Sequence, residues 1–118
     1  MGKKIVVADD DPAIVDAIRL ILEDEGYSVR IVTDGKEISN LHTDLPDLIL
    51  LDIWMSGRDG REIAQQLKAH AATKNLPIIV ISAHRETKKI ARAINADGFL
   101  LKPFEIEALL RTVKKHLG

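Results

Sequence analysis

Cysteine is absent from the 118 residues, which excludes disulfides, thiolate nucleophiles and cysteine-bound zinc and fits the cytosol. An excess of one charge is missing too. The 17 Lys and Arg residues stand against 18 Asp and Glu, a formal net charge of −1, which leaves no electrostatic footprint for nucleic acid or an anionic membrane. No apolar run approaches the roughly 20 residues of a membrane span. The opening Met1-Gly2-Lys3-Lys4 reaches Asp9 too soon to be a signal peptide. Internal repeats, linkers and low-complexity segments are lacking as well. What remains is ordinary for a globular domain, 46% hydrophobic and 30% charged. We therefore expect a single domain over 1–118, its core running from about residue 4 to 117. It is expected to be cytoplasmic and monomeric, with no direct contact to nucleic acid or membrane.

The stretch from Asp47 to Met55 organises the chain. Leu48, Ile49, Leu50 and Leu51 have no polar residue among them, so the strand they form is expected to be covered on both faces, as in a parallel sheet under helices. Asp52 then falls at the carboxyl end of that strand, the edge where open α/β sheets bind ligands.

The rest of the chain supplies the sheet's other members. Lys4–Ala8 reads as a first strand, and Asp11 followed by Pro12 as the cap and first residue of a helix ended by Gly26. Ile14, Ile18, Ile21 and Leu22 recur at helical spacing on its inner side. Val29–Val32 is a second strand, and a weaker helix follows from about Lys36 to His42. Pro46 breaks it before the Asp47–Leu51 strand. Gly57 and Gly60 mark a loop, and Asp59 caps a helix from about Arg61 to Ala72. Ile78–Ile81, running into Ser82-Ala83, is a fourth strand. A helix from about Glu86 to Asn95 turns Ile90, Ala91 and Ile94 inward. Phe99–Leu101 is a short fifth strand, stopped by Lys102-Pro103. The last helix, about Glu105 to Leu117, buries Ile106, Leu109, Leu110, Val113 and Leu117, with Arg111, Lys114, Lys115 and His116 toward its negative end. Strands alternating with helices give an α/β fold: a doubly wound five-stranded parallel sheet with five helices. Right-handed crossovers favour the order 2-1-3-4-5, with the winding reversed between the first and third strands.

The crevice at that reversal is lined by Asp9, Asp10 and Asp52. Two unit charges about 4 Å apart repel by about 4 kcal/mol at an effective dielectric near 20. A hard divalent cation that takes oxygen ligands and keeps several waters relieves such a cluster, which describes Mg²⁺. Asp11 is assigned instead to capping. Lys102, ending the fifth strand, points its ammonium over the same edge toward Asp52, and a cis Lys102-Pro103 peptide is one way to aim it. Ser82, ending the fourth strand, offers a hydroxyl. A cation site, an amine, a hydroxyl and a lone nucleophilic aspartate on one rim suit phosphoryl transfer onto Asp52.

These residues lie in four motifs: Ile5-Val6-Val7-Ala8-Asp9-Asp10-Asp11-Pro12; Leu50-Leu51-Asp52 with Asp59-Gly60; Ile79-Val80-Ile81-Ser82-Ala83; and Ala96-Asp97-Gly98-Phe99-Leu100-Leu101-Lys102-Pro103-Phe104. In this order and spacing the chain resembles the receiver domain of two-component response regulators, over about Lys4 to Leu117. The resemblance implies a flavodoxin-like fold and a switch, stand-alone or in a phosphorelay, that is phosphorylated by a histidine kinase or phosphotransfer protein and read by a downstream protein. It implies that Asp52 is the phosphoacceptor. Asp10, Asp52 and the backbone carbonyl of Trp54 would ligate Mg²⁺, with Asp9 helping. Ser82, Ala83 and Lys102 would contact the phosphoryl group, Ser82 and Phe99 would switch, and Trp54 and His84 would tune the phosphoryl lifetime. It also implies a surface of the fourth helix, fifth strand and fifth helix that changes on phosphorylation, and a partner that often meets the first helix. By the same resemblance the protein is no enzyme beyond its own phosphorylation and dephosphorylation. Ser56 departs from the family's usual proline.

Other readings fit less well. A Mg²⁺-dependent phosphohydrolase commonly carries a second aspartate two residues after its nucleophile, where Trp54 stands. A flavin module would place Ser, Thr and Gly after the first strand, where Asp9-Asp10-Asp11 would repel a phosphate. The chain ends just past its last apolar anchor, which favours a stand-alone switch; a receiver excised from a hybrid kinase or a transcriptional regulator is the alternative.

Overall fold

The computed structural model describes residues 2–39, 41, 44–55 and 58–117. Five parallel strands form one sheet: β1 (Lys4–Ala8), β2 (Ser28–Val32), β3 (Leu48–Asp52), β4 (Ile78–Ser82) and β5 (Gly98–Leu101), in the order β2-β1-β3-β4-β5. The helices are α1 (Pro12–Asp24), α2 (Gly35–Ser39), α3 (Gly60–Ala69), α4 (Thr87–Ala93) and α5 (Ile106–Leu117). This is the doubly wound order expected from the sequence. Among the described residues no helix is long and apolar enough to cross a membrane.

Every residue of β3 and β4 is buried, as the apolar runs that precede Asp52 and Ser82 require of strands covered on both faces. Successive side chains alternate across the sheet and divide the core in two. Ile5, Val7, Leu48, Leu50, Ile79, Ile81 and Leu100 pack with α1 and α5. Val6, Ala8, Ile49, Leu51, Ile78 and Val80 pack with α2, α3 and α4, and Phe99 is partly buried against them. The same alternation carries past the strand ends. Asp9, Asp52 and Lys102 continue the series that faces α1 and α5, whereas Ser82 continues the series that faces α4.

Several expectations need correction. Val15, not Ile14, is buried with Ile18 and Leu22 on α1, while Ile14 and Ile21 sit at the margin. Ile106 at the start of α5 is 57% exposed, because the first turn of that helix borders the open cleft beside α1. The helices α3 and α4 end earlier than their periodicity suggests, at Ala69 and Ala93, and β3 begins at Leu48. α2 is a single short run, and the His42 expected to end it lies outside the described residues. The loop expected after Asp52 contains a two-stranded antiparallel ladder instead, Trp54–Met55 against Arg58–Asp59, with Trp54 paired to Asp59. Ser56 and Gly57 lie outside the described residues.

Candidate functional site

Two backbone devices fix the loops that bring the acids together. Asp11 accepts the Ala13 N–H at 3.1 Å and, with Pro12 behind it, opens α1 directly after β1. Asp9 accepts the Asp11 N–H at 3.0 Å, so its carboxylate is tied to the same turn. On the other side of the crevice α3 begins hard against β3. A Cβ on Gly60 would stand 2.5 Å from the Asp52 carbonyl oxygen and 2.7 Å from Ile53 Cα, both backbone atoms, so only glycine fits. Asp59, one residue earlier, caps α3 by accepting the Arg61 N–H at 2.9 Å.

The result is a compact acidic edge. Carboxylate oxygens of Asp9, Asp10 and Asp52 all lie within 4.8 Å of one another; Asp9 and Asp52 are buried, and Asp10 is exposed. Lys102 reaches over them from the end of β5. Its Nζ is 3.6 Å from Asp52 Oδ2, the partner expected from sequence, and closer still, 2.8 Å, to Asp9 Oδ2. The Lys102-Pro103 peptide is cis. Asp52 Oδ1 accepts the Trp54 N–H at 3.3 Å.

Burial pushes the Asp52 carboxyl up to about 6, with the nearby charge of Asp9 adding to the rise; the Lys102 ammonium and the Trp54 N–H hold it back. For Lys102 burial works against the charge, but the hydrogen bond to Asp9 and the charges of Asp52 and Asp9 outweigh it and raise its pKa above the ordinary lysine value. Asp52 is thus a desolvated carboxylate whose charge one ammonium only partly balances.

Ser82 is buried at the end of β4, in the row beside Asp52. Its Oγ accepts the His84 N–H at 3.0 Å, which leaves the hydroxyl proton free to donate elsewhere. His84 is exposed and engaged with the opening of α4. Its Nδ1 accepts the Glu86 N–H at 3.1 Å, and its carbonyl oxygen accepts from both the Thr87 N–H and the Thr87 hydroxyl. Ala83 lines a cleft of about 440 Å³ between α1 and the start of α5, with Lys102, Phe104 and Ile106. Phe99 lies on the opposite face, at a cavity of about 360 Å³ between α4 and α5 that Lys88, Arg92 and His116 also line. Trp54, 52% exposed, carries the Arg61 guanidinium 5.3 Å from its ring centroid.

The residues proposed from sequence therefore fall into two groups. Asp9, Asp10, Asp52 and Lys102 meet directly, with the Trp54 backbone beside Asp52. Ser82, His84 and Phe99 lie toward α4, joined to one another through the β4–α4 connection and the β4–β5 pairing. Sequence reasoning missed Arg61, the backbone contact that requires Gly60, and the part His84 plays in opening α4. The Asp59-Gly60 pair was visible, but the ladder that sets Arg61 against Trp54 has only two residues per strand and leaves no periodic signal.

A doubly wound parallel sheet with three carboxylates and a lysine converging at its winding reversal defines a class of α/β domain with an acidic edge. The chain belongs to the response regulator receiver domain family of two-component systems, which matches residues 5–114. Among solved structures it is similar to a CheY-like response regulator receiver domain protein from Methanospirillum hungatei JF-1, at 30% identity and a TM-score of 0.87, covering 99% of this chain and 94% of that one. It is also similar to the chemotaxis protein CheY4 of Vibrio cholerae, at 28% identity and a TM-score of 0.88, covering 98% and 99%. The receiver domain of the sensor histidine kinase PA1611 from Pseudomonas aeruginosa PAO1 shares the fold at 24% identity and a TM-score of 0.86, covering 100% and 99%; that structure has a magnesium ion coordinated in its active site cleft.

Proposed function

We propose that this protein is a Mg²⁺-dependent phosphoacceptor switch that takes a phosphoryl group on Asp52 from a histidine kinase or histidine phosphotransfer protein. The meeting of Asp9, Asp10, Asp52 and Lys102 at one edge carries this reading. The edge fits a hard dication: three carboxylates converge, two of them buried, and Asp52 bears a charge that its surroundings disfavour. Asp10, Asp52 and the Trp54 carbonyl would hold the ion, with Asp9 assisting. When bound, Mg²⁺ neutralises charge on the transferring phosphoryl oxygens.

The chain's own groups do the rest. An Asp52 carboxylate oxygen is the nucleophile, and ionisation at neutral pH makes it available. Lys102, already within 3.6 Å of that carboxylate, stabilises charge on the phosphoryl group. The free hydroxyl proton of Ser82 gains an acceptor only once the phosphoryl group is present. Ser82 also receives the His84 N–H, and His84 holds the first turn of α4, so a shift of Ser82 is passed to α4 and to the cavity beside Phe99. A few charge-assisted hydrogen bonds of about 1.5–3 kcal/mol each are enough for the roughly 5.5 kcal/mol that a nearly complete population shift needs.

On this reading the partner that donates the phosphoryl group meets the cleft between α1 and α5, where Ile106 leaves apolar surface open. A downstream protein reads the α4–β5–α5 side. The protein acts on its own aspartate and turns over no other substrate. Incubation with acetyl phosphate and Mg²⁺, read by intact mass, tests the proposal. The wild type is expected to gain one phosphoryl group, and Asp52→Asn none. Equal labelling of both would overturn it.

A further inference from the structure

Trp54 is the sole tryptophan, and half of it is open to solvent, yet its indole is not free. The Arg61 guanidinium lies 5.3 Å from the ring centroid, inside the range of a cation–π contact. Arg61 is itself held. Its Nε is 3.1 and 3.0 Å from the two Asp59 carboxylate oxygens, and one of its terminal nitrogens is 2.7 Å from Asp59 Oδ2. The fork–carboxylate geometry leaves the guanidinium little freedom. Asp59 is fixed in turn, because it caps α3 and pairs with Trp54 across the short ladder.

The position of this cluster gives it a consequence. The Trp54 N–H is bonded to Asp52 Oδ1, and Gly60 packs directly on the Asp52 and Ile53 backbone. The indole is therefore rooted two residues from Asp52 and tied through Arg61 to the first turn of α3, whose Gly60 packs on the Asp52 backbone. A large apolar ring held at that position would restrict the approach of water to a group on Asp52.

We propose that Arg61 is a positioning residue that holds the Trp54 indole at the rim of the phosphoacceptor and so lengthens the life of a phosphoryl group on Asp52. The inference rests on Asp52 being the phosphoacceptor. In the step it slows, water attacks phosphorus and the bond from phosphorus to the Asp52 carboxylate oxygen breaks. The free carboxylate and inorganic phosphate leave, and the phosphate keeps both protons of the water.

The test follows loss of the phosphoryl group by intact mass after rapid removal of acetyl phosphate, in the wild type, Arg61→Ala, Arg61→Lys, Trp54→Ala and the double variant Arg61→Ala/Trp54→Ala. In parallel, acrylamide quenching of the single tryptophan reads the indole's exposure without any phosphate. Arg61→Ala is expected to lose phosphate about two- to fivefold faster, the factor by which an exposed cation–π contact biases a population. Its quenching constant should rise, and Arg61→Lys should fall between it and the wild type. The double variant should match Trp54→Ala. A wild-type rate in Arg61→Ala, or effects of the two substitutions that multiply in the double variant, would overturn the proposal. If the wild type takes up no phosphate at all, the phosphoacceptor reading falls and this one with it, whereas unequal rates with unchanged quenching sink only the clamp.

Discussion

The two helices that border the acidic edge are built differently. α1 runs 13 residues, opens on an aspartate cap and a proline, and buries Val15, Ile18 and Leu22. α4 runs seven residues, has no side-chain bond at the residue preceding it, and buries only Thr87 and Ala91 within its span. Its opening turn hangs on the His84 ring and, through the His84 N–H, on Ser82. The carboxylates and Lys102 belong to the α1 side of the sheet, and Ser82 and Phe99 to the α4 side. On the proposed function the difference separates two jobs: the well-anchored half would hold charge in place, and the lightly anchored half would answer a change in it. Local stability follows such differences in burial and anchoring.

The largest expected effect comes from unseating α3 from β3 behind the acidic edge. In Gly60→Ala the new Cβ meets the Asp52 and Ile53 backbone, which cannot yield as a flexible side chain does. Urea denaturation should show a loss of about 3 kcal/mol. A loss below about 0.5 kcal/mol would mean that α3 is not fixed against β3.

Asp52→Asn tests the charge held there. Because the folded Asp52 carboxyl is pushed up to about 6, from the 3.8 of an unperturbed aspartate, its protonated form suits the fold better than its ionised form. The stability it contributes is fully present below the unfolded value and is lost as pH rises through about 6. In the absence of metal, Asp52→Asn should therefore be more stable than the wild type at pH 8 by about 2–3 kcal/mol, with the gain vanishing toward pH 4. A gain that does not depend on pH would contradict this account of the edge.

Mg²⁺ at ten times its dissociation constant should stabilise the wild type by about 1.4 kcal/mol. Asp10→Asn should erase that gain while leaving the metal-free protein no less stable, as read by thermal melts with and without the ion. The smallest pair compares the helix starts. Asp11→Ala and His84→Ala should each cost about 1 kcal/mol. In hydrogen exchange the first should loosen α1 and the second only α4, and a loss spread evenly over both helices would erase the distinction between the two halves.

Much of this was legible in the residues. β3 and β4 are apolar up to their last residues, so both the sheet and its two-sided burial followed from pattern, and Asp52 at a strand end pointed to the edge. Asp9 and Asp10 after β1 gave the carboxylate cluster. What stayed hidden depends on contacts between segments far apart in sequence. Whether Lys102 approaches Asp9 or Asp52 more closely is set by the path of β5 beyond its last paired residue, and no local pattern encodes that. Ile106 has the spacing of a buried residue, but the helix turn that carries it borders the open cleft beside α1. The Trp54–Asp59 ladder is too short to show alternation, so Arg61 gave no sign of its role.

The central claim is that one half of the edge holds the phosphoryl group and the other half moves. Hydrogen exchange on the protein kept phosphorylated by excess acetyl phosphate and Mg²⁺, against the protein with Mg²⁺ alone, tests it most directly. The account predicts that protection changes in the β4–α4 connection, α4 and β5, and stays the same in α1. Changes concentrated in α1 with α4 unaltered would contradict it.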